Sequence, residues 1–401
     1  MPGETRQDDF ERGAKLQRAG QFAEAAEIYL QLAETALTIN LATNLGVCLN
    51  EIGDRARAQH YLGLAARERP GDATIHRLLG AANAEAGHVE LAEYEFRDAL
   101  AASPGDGVTE LALASLYLSV GRYAEGWPLM AARADLHPGV VPPITVNFPE
   151  WRGEPLAGKS VLIWVEQGFG DQIQMARFAN SLKALGAARV TLGCRPVLAD
   201  LFATLAGADA IIPIAVGDAV QVGTHDYWTR YFSLPEPLGV TLETLPAQPY
   251  LSAPADRRAR WAGFGGGARV GLTWQASPTG FNGANKGLPS DQAQRLLAAG
   301  AISLHPEDTG ARDFADTAAI VERLDLVISI DTSVAHLAGA MGKPCWTLLP
   351  YLHSDWRWLR DRTDSPWYPG MRLYRHGARE DWTELVERVL TDLAAAKLGA
   401  A

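Results

Sequence analysis

A chain of 401 residues is too long for one small domain and leaves room for two or three. Its 36 Lys and Arg against 47 Asp and Glu leave a net charge of −11, which argues against a general affinity for nucleic acid or anionic lipid. With 47% hydrophobic residues and no apolar run of about 18 residues, the composition is that of a globular protein with a sizeable core and no membrane span. The opening residues, Met1-Pro2-Gly3-Glu4 followed by Asp8, Asp9 and Glu11, lack the basic and then apolar pattern of a secretory leader, so a cytoplasmic location is expected. Cys48, Cys194 and Cys345 show no paired spacing. They are expected to be buried small hydrophobes, not a disulfide framework or a metal site.

The first third is periodic. Gly20, Gly53, Gly87 and Gly121 are separated by 33, 34 and 34 residues, and after the first three come Ala25, Ala58 and Ala92, then Tyr29, Leu62 and Phe96. The alanine and the larger residue are i, i+4 neighbours on one helix face. Pro70 and Pro104 each fall 17 residues after a repeat glycine, where a helix must stop for want of an amide hydrogen. Leu45-Gly46 and Leu79-Gly80 also repeat, and the small residue lets the two helices of a unit approach. Each unit therefore reads as helix, turn, helix. This pattern resembles the tetratricopeptide repeat, over about residues 5 to 138 in four units with degenerate ends. The resemblance implies a solenoid over residues 1–138 with a groove for a peptide or partner protein.

Five prolines, at 138, 142, 143, 149 and 155, exclude both helix and central strand, so residues 139–158 are predicted to be a linker. Phe148 and Trp151 are expected to pin it to a neighbouring surface. Beyond it the pattern changes to short apolar runs bounded by glycine. Strands are predicted at Ser160 to Val165, Arg189 to Gly193 and Ala210 to Ile214, then at Arg269 to Trp274, Ala301 to Leu304, Leu326 to Ile330 and Cys345 to Leu349. Helices lie between them. Alternating strand and helix implies parallel sheets, here as two doubly wound halves, 159–254 and 255–401, with a seam near Ser252 to Arg260. A ligand would sit in the cleft at the carboxyl ends of both sheets.

Three segments could carry chemistry. The loop Glu166-Gln167-Gly168-Phe169-Gly170-Asp171 lets backbone approach a ligand closely, with Asp171 at the mouth of a helix; the plain structural alternative is that Asp171 only caps that helix. It lacks the third glycine of a dinucleotide fingerprint. The strand Leu326 to Ile330 runs into Asp331-Thr332-Ser333-Val334-Ala335-His336. There a helix N-terminus, two hydroxyls and His336 one turn in would face a diphosphate; the alternative is a cap and a histidine satisfied in the core. The loop from Gln275 through Ser277, Pro278, Thr279, Gly280, Phe281 and Asn282 to Lys286-Gly287 ends in a lysine that could neutralise phosphate or merely be solvated. Asp355-Trp356-Arg357-Trp358 reads as an aromatic and charged patch of the kind found at interdomain contacts.

Taken together, Trp151-Arg152-Gly153 through Asp171, Phe314-Ala315-Asp316-Thr317-Ala318-Ala319 through Asp331 to Ala340, and Asp355-Trp356-Arg357-Trp358 with Ser365-Pro366-Trp367-Tyr368-Pro369 resemble glycosyltransferases of the heptosyltransferase type, glycosyltransferase family nine. The resemblance covers about residues 145 to 395, in the bacterial architecture where tetratricopeptide repeats precede the enzyme. It implies an α plus α/β protein, a tetratricopeptide-repeat α-solenoid followed by two Rossmann-like halves of GT-B type. The N-terminal half would take the acceptor, the C-terminal half the nucleotide sugar, and transfer would be inverting and metal-independent with no cofactor besides the donor substrate. The resemblance places the general base on Asp171, with Gln167, Gly168 and Gly170 in the acceptor-side loop. It places Lys286, Asp331, Thr332, Ser333 and His336 at the donor phosphates. The expected function is sugar transfer to an acceptor hydroxyl, with a protein recruited by the repeats as the expected acceptor; the alternative is a scaffold whose transferase fold is inactive or only binds a nucleotide sugar. An epimerase fits the two-half layout less well.

Overall fold

The computed structural model describes residues 2–136, 141–215, 217, 220–265, 267, 269–276, 283–377 and 381–397. Pro138, the first two residues of the expected linker, 139 and 140, and the loop residues Ser277 to Asn282 lie outside them. The chain forms two compact units, one made of the residues up to Val120 with Pro128–Leu136, the other of Gly121–Trp127 with the chain from residue 141 on.

The helical unit is a run of antiparallel pairs: α1 (Pro2–Arg18) with α2 (Phe22–Thr35), α3 (Ile39–Glu51) with α4 (Arg55–Glu68), and α5 (Ala73–Glu85) with α6 (Val89–Ala102). It continues in α7 (Gly107–Ser119); α8 (Tyr123–Leu129) and α9 (Arg133–Leu136) follow. The period has a local cause at each turn. Gly20, Gly53 and Gly87 have φ of 76°, 83° and 83°, a left-handed conformation that glycine adopts without steric cost. Thr38, Asp54, Asp72 and Asp106 cap the next helices by accepting backbone N–H groups. The packing also repeats. A Cβ on Gly46 would lie 2.5 Å from Leu62 Cγ and one on Gly80 would lie 2.7 Å from Phe96 Cδ1, so the large residue of one helix fills the gap left by the glycine of its partner. The same contact joins Gly13 and Tyr29, at 2.6 Å, so the first unit keeps the repeat's packing even where its sequence looks degenerate. These are tetratricopeptide-like repeats.

The second unit holds two parallel sheets. In chain order its elements are β1 (Ser160–Trp164), α10 (Phe169–Ala176), α11 (Phe178–Ala184), β2 (Arg189–Cys194), α12 (Ala199–Phe202), β3 (Ala210–Pro213), β4 (Tyr227–Arg230) and α13 (Ala255–Arg260). Then come β5 (Val270–Thr273), α14 (Gly283–Lys286), α15 (Ser290–Ala298), β6 (Ala301–Ser303), α16 (Pro306–Thr309), α17 (Phe314–Glu322), β7 (Leu326–Ile330), α18 (Ser333–Ala340), β8 (Cys345–Leu349), β9 (Met371–Arg375) and α19 (Trp382–Ala395). The strand orders are β3-β2-β1-β4 and β6-β5-β7-β8-β9. β1 and β7 are central and almost wholly buried, which is why they read as unbroken apolar runs. Two strands go unpredicted by the sequence, β4 and β9. Both are sheet edges, and Tyr227-Trp228-Thr229-Arg230 and Met371-Arg372-Leu373-Tyr374-Arg375 mix charge with apolar residues, unlike the other edge strands, β3 and β6, which carry no charge and are predicted.

The predicted linker is irregular where described, and Trp151 is buried with its indole N–H donating to Glu154 O at 2.9 Å. Phe148 packs on the His225 ring at 5.7 Å. Tyr123 and Trp127 sit in the core of this second unit: Tyr123 Oη accepts from Trp367 Nε1 at 2.8 Å, and Trp127 Nε1 donates to Val240 O at 3.1 Å. The halves are joined at several points. Arg177, fully enclosed at the end of α10, donates to Trp367 O at 2.9 Å and Pro246 O at 3.0 Å. Arg257 of α13 reaches Asp200, Asp313 and Asp316. Asp316 is the hub of that seam, accepting from Trp261 Nε1 at 2.8 Å and Arg312 N at 3.0 Å.

Candidate functional site

In each sheet the strand order changes direction at a central strand, β1 in the first and β5/β7 in the second, and helices start at the carboxyl ends there, where open α/β sheets bind ligands. α10 follows β1 and α18 follows β7. The two helix starts meet. A Cβ on Gly170 would lie 2.8 Å from His336 Cδ2 and 3.4 Å from Ser333 Cα, so only glycine permits this approach between the halves.

On the first side, the chain leaves β1 through Glu166, whose Oε1 accepts the Phe232 amide at 2.6 Å, and then turns through Gln167 at φ 61°. A left-handed glutamine is strained, by about 1–3 kcal/mol. The helix begins at Phe169, earlier than the sequence suggests, so Asp171 is its third residue. Asp171 does cap: Oδ2 accepts Gly168 N at 3.1 Å. Its other oxygen is also engaged, because Oδ1 accepts Arg357 Nη2 from the opposite half at 2.6 Å. Gln167, Gly168 and Gly170 lie beside it, with Gln167 O accepting from Gln172 Nε2 at 3.2 Å.

On the second side, Thr332 is the extended residue before α18 and makes no side-chain cap to the helix; its hydroxyl lies 3.2 Å from Ser329 Oγ. Ser333 opens the helix. Lys286, buried at the end of α14, places Nζ 2.7 Å from Asp331 Oδ2. Burial alone would raise the Asp331 carboxyl, and the Lys286 and Arg357 charges outweigh it and hold it below the usual carboxylate range. His336 is the residue whose expected role changes. Its ring is buried, stacked on Trp358 at 5.2 Å, with Nδ1 3.0 Å from Tyr368 Oη. Burial, reinforced by the Arg357 charge, lowers its pKa to about 3. With Nδ1 partnered and burial opposing protonation, His336 is not placed to offer a phosphate a positive charge at neutral pH.

Arg357 is the residue the sequence reading assigned only to an interdomain patch. It does cross between halves, but inside the site: Nη2 to Asp171, Nη1 to Asp355 Oδ2 at 2.7 Å and Nε to Gln174 Oε1 at 2.8 Å. The carboxylates around it keep it charged despite full burial, which acts the other way. It is held on a strained segment, for Leu359 has φ 55° and ψ 176°, a region that only glycine occupies freely. Gln174 was missed altogether, although it lies three residues after Asp171 and therefore on the same helix face. The site thus gathers three carboxylates, Asp171, Asp331 and Asp355, around two cations, Lys286 and Arg357. Among the described residues no group of three or more His, Cys, Asp or Glu is arranged to hold a metal ion, and no helix is long and apolar enough to cross a membrane.

No family model matches the chain. Among curated proteins it is similar to protein FlbA of Caulobacter vibrioides, 25% identical over 440 aligned positions that take in 97% of this chain and 73% of that protein. Among solved structures, MamA AMB-1 is 23% identical over 33% of this chain and 72% of its own, at a TM-score of 0.29. MamA from Desulfovibrio magneticus RS-1 is 16% identical over 33% of this chain and 73% of its own, also at 0.29. MamA MSR-1 is 19% identical over 34% and 79%, at 0.30.

Proposed function

We propose that the α/β unit transfers a sugar from a nucleotide-sugar donor to an acceptor hydroxyl, with inversion and without a metal. The observation that supports this most is the meeting of Asp171, at the carboxyl end of the first sheet, with the start of α18 and Arg357 of the second. In this reading the acceptor hydroxyl gives its proton to Asp171 while its oxygen attacks the anomeric carbon from the face opposite the diphosphate. The bond from that carbon to the diphosphate oxygen breaks, and its electron pair leaves with the diphosphate. The free amides of α18, the Thr332 and Ser333 hydroxyls and Lys286 stabilise the departing charge, so the route has no need of a metal. His336 contributes packing, with Tyr368 and Trp358, that fixes the start of α18. The tetratricopeptide-like repeats would recruit the acceptor as a protein or peptide.

One observation favours a second reading, a scaffold whose transferase fold does not turn over: Lys286 and Arg357 already hold carboxylates, so an incoming diphosphate must compete for them. Two measurements separate the readings. A panel of nucleotide sugars is tested for a rise in melting temperature, since a ligand of the native state must stabilise it. The same sugars, radiolabelled, are then offered with a cell lysate. Transfer predicts stabilisation by at least one sugar and label on a protein. Stabilisation without label from any sugar fits the scaffold, and no stabilisation rejects both nucleotide-sugar readings.

A further inference from the structure

We infer that Arg357 is a latch shared between Asp171 and the donor diphosphate: without donor it masks the base, and the diphosphate draws it away. The inference rests on the transfer reading above and adds to it the order of events, donor first. Its ground is the geometry around one guanidinium. Arg357 is fixed on three sides by Asp355, Gln174 and Asp171, and of the two carboxylates Asp355 is buried beside it in the same turn while Asp171 belongs to the opposite half and is a quarter exposed. The Asp171 contact is therefore the one that an anion entering the cleft can replace.

Charge points the same way. With His336 neutral, the three carboxylates outnumber Lys286 and Arg357, so an anionic ligand finds no cation uncommitted among these five groups. Binding must exchange one ion pair for another. Asp331 is buried with Lys286, which leaves the partly exposed Asp171 as the partner released at least cost. Donors also stand ready nearby. Gln174 Nε2, beside Arg357, and Trp358 Nε1, on the next residue, are buried without a hydrogen-bond partner among the described residues. A buried unpaired donor costs about 1–3 kcal/mol, a deficit that an oxygen-rich ligand or water would remove. Two strained residues, Gln167 and Leu359, flank the two ends of the Asp171–Arg357 pair. The latch has a chemical use: with Arg357 on one oxygen of Asp171 and the Gly168 amide on the other, both oxygens are engaged, and release of Arg357 to the diphosphate opens one of them to an acceptor hydroxyl only after the leaving group is in position.

The test measures binding of UDP, GDP, ADP and inorganic pyrophosphate by titration calorimetry to the 401-residue chain and its variants. Asp171→Asn removes the competing charge and should tighten binding of the preferred diphosphate by roughly tenfold. Arg357→Lys, which keeps the charge but not the fork, should weaken it by roughly 10- to 100-fold. In the Arg357→Lys background Asp171→Asn should lose most of its effect, a coupling that a purely structural arginine would not produce. Because Asp171 is partly exposed, its variant is expected to fold, and circular dichroism checks this. Diphosphate binding that is unchanged or weakened by Asp171→Asn overturns the latch and leaves the transfer reading standing. No binding to either the parent or Asp171→Asn overturns both.

Discussion

Asp171 carries two loads, closing the start of α10 through Gly168 and spanning to Arg357, so its substitution tests chemistry best when the shape is kept. Asp171→Asn preserves the cap acceptor and removes the proposed proton sink. Transfer to a protein acceptor should fall by about 10²- to 10⁴-fold, the usual weight of a general base, in label incorporated per minute at saturating donor. Turnover like the parent's would remove Asp171 from that role. His336 makes a different prediction, about pH. Its folded pKa of about 3 lies below the ordinary 6.5, because burial first and the Arg357 charge second oppose protonation, while Asp331 pulls the other way and Lys286 adds to the depression. Between those values the unfolded chain binds the extra proton, so stability is fully present above about 6.5 and is lost as pH falls toward 3, by about 1.4 kcal/mol per unit within that window. Urea midpoints at pH 7, 6 and 5 should decline for the parent and decline less for His336→Gln. Equal slopes would place the acid sensitivity elsewhere.

At the scale of elements, what could be read in advance followed unbroken runs without charge. β7 and β8 were legible to the residue, since Leu326 to Ile330 and Cys345 to Leu349 are central strands with both faces covered. β4 and β9 were not, because Tyr227–Arg230 and Met371–Arg375 mix charged with apolar residues, whereas the edge strands β3 and β6 lack charge and could be read. The site divides similarly. Asp171, Lys286, Asp331, Thr332, Ser333 and His336 follow strands in sequence and could be named from those positions, but the ion pairs joining Lys286 to Asp331 and Asp171 to Arg357 link distant segments that no local pattern connects. The same was true of His336, whose burial depends on Trp358 and Tyr368. In the repeats the small residue is legible because it recurs, and it can be tested. Gly80 sits mid-helix facing Phe96, which is 2% exposed. Replacing a helical glycine would by itself gain up to about 1 kcal/mol, yet a Cβ 2.7 Å from the Phe96 ring has nowhere to go. Gly80→Val should therefore destabilise the chain by about 1–3 kcal/mol, seen as a lower thermal midpoint by circular dichroism at 222 nm. A neutral or stabilising result would mean that the helix pair can spread.

For the whole molecule, the repeats and the α/β unit are not divided where the prolines suggest. Tyr123 and Trp127 precede the predicted linker, yet they are 1% and 2% exposed and bond to Trp367 and Val240 of the α/β unit. Two truncations distinguish recruitment from mere support. Removing residues 1–120 keeps both aromatics, whereas removing residues 1–138 deletes two large core side chains, each worth about 3–5 kcal/mol when lost from a packed interior. The shorter deletion should stay folded and keep the nucleotide-sugar stabilisation proposed for the 401-residue chain; the longer one should melt markedly lower. With the folded 1–120 deletion in hand, the role of the array becomes a kinetic question. Binding energy gathered in a groove remote from the reacting hydroxyl raises the acceptor's effective concentration at the site. Labelling of the protein acceptor should then drop sharply at low acceptor concentration and recover as acceptor is added, with transfer at saturation little changed. If the deletion labels its acceptor as fast as the full chain at low concentration, the repeats do not recruit it.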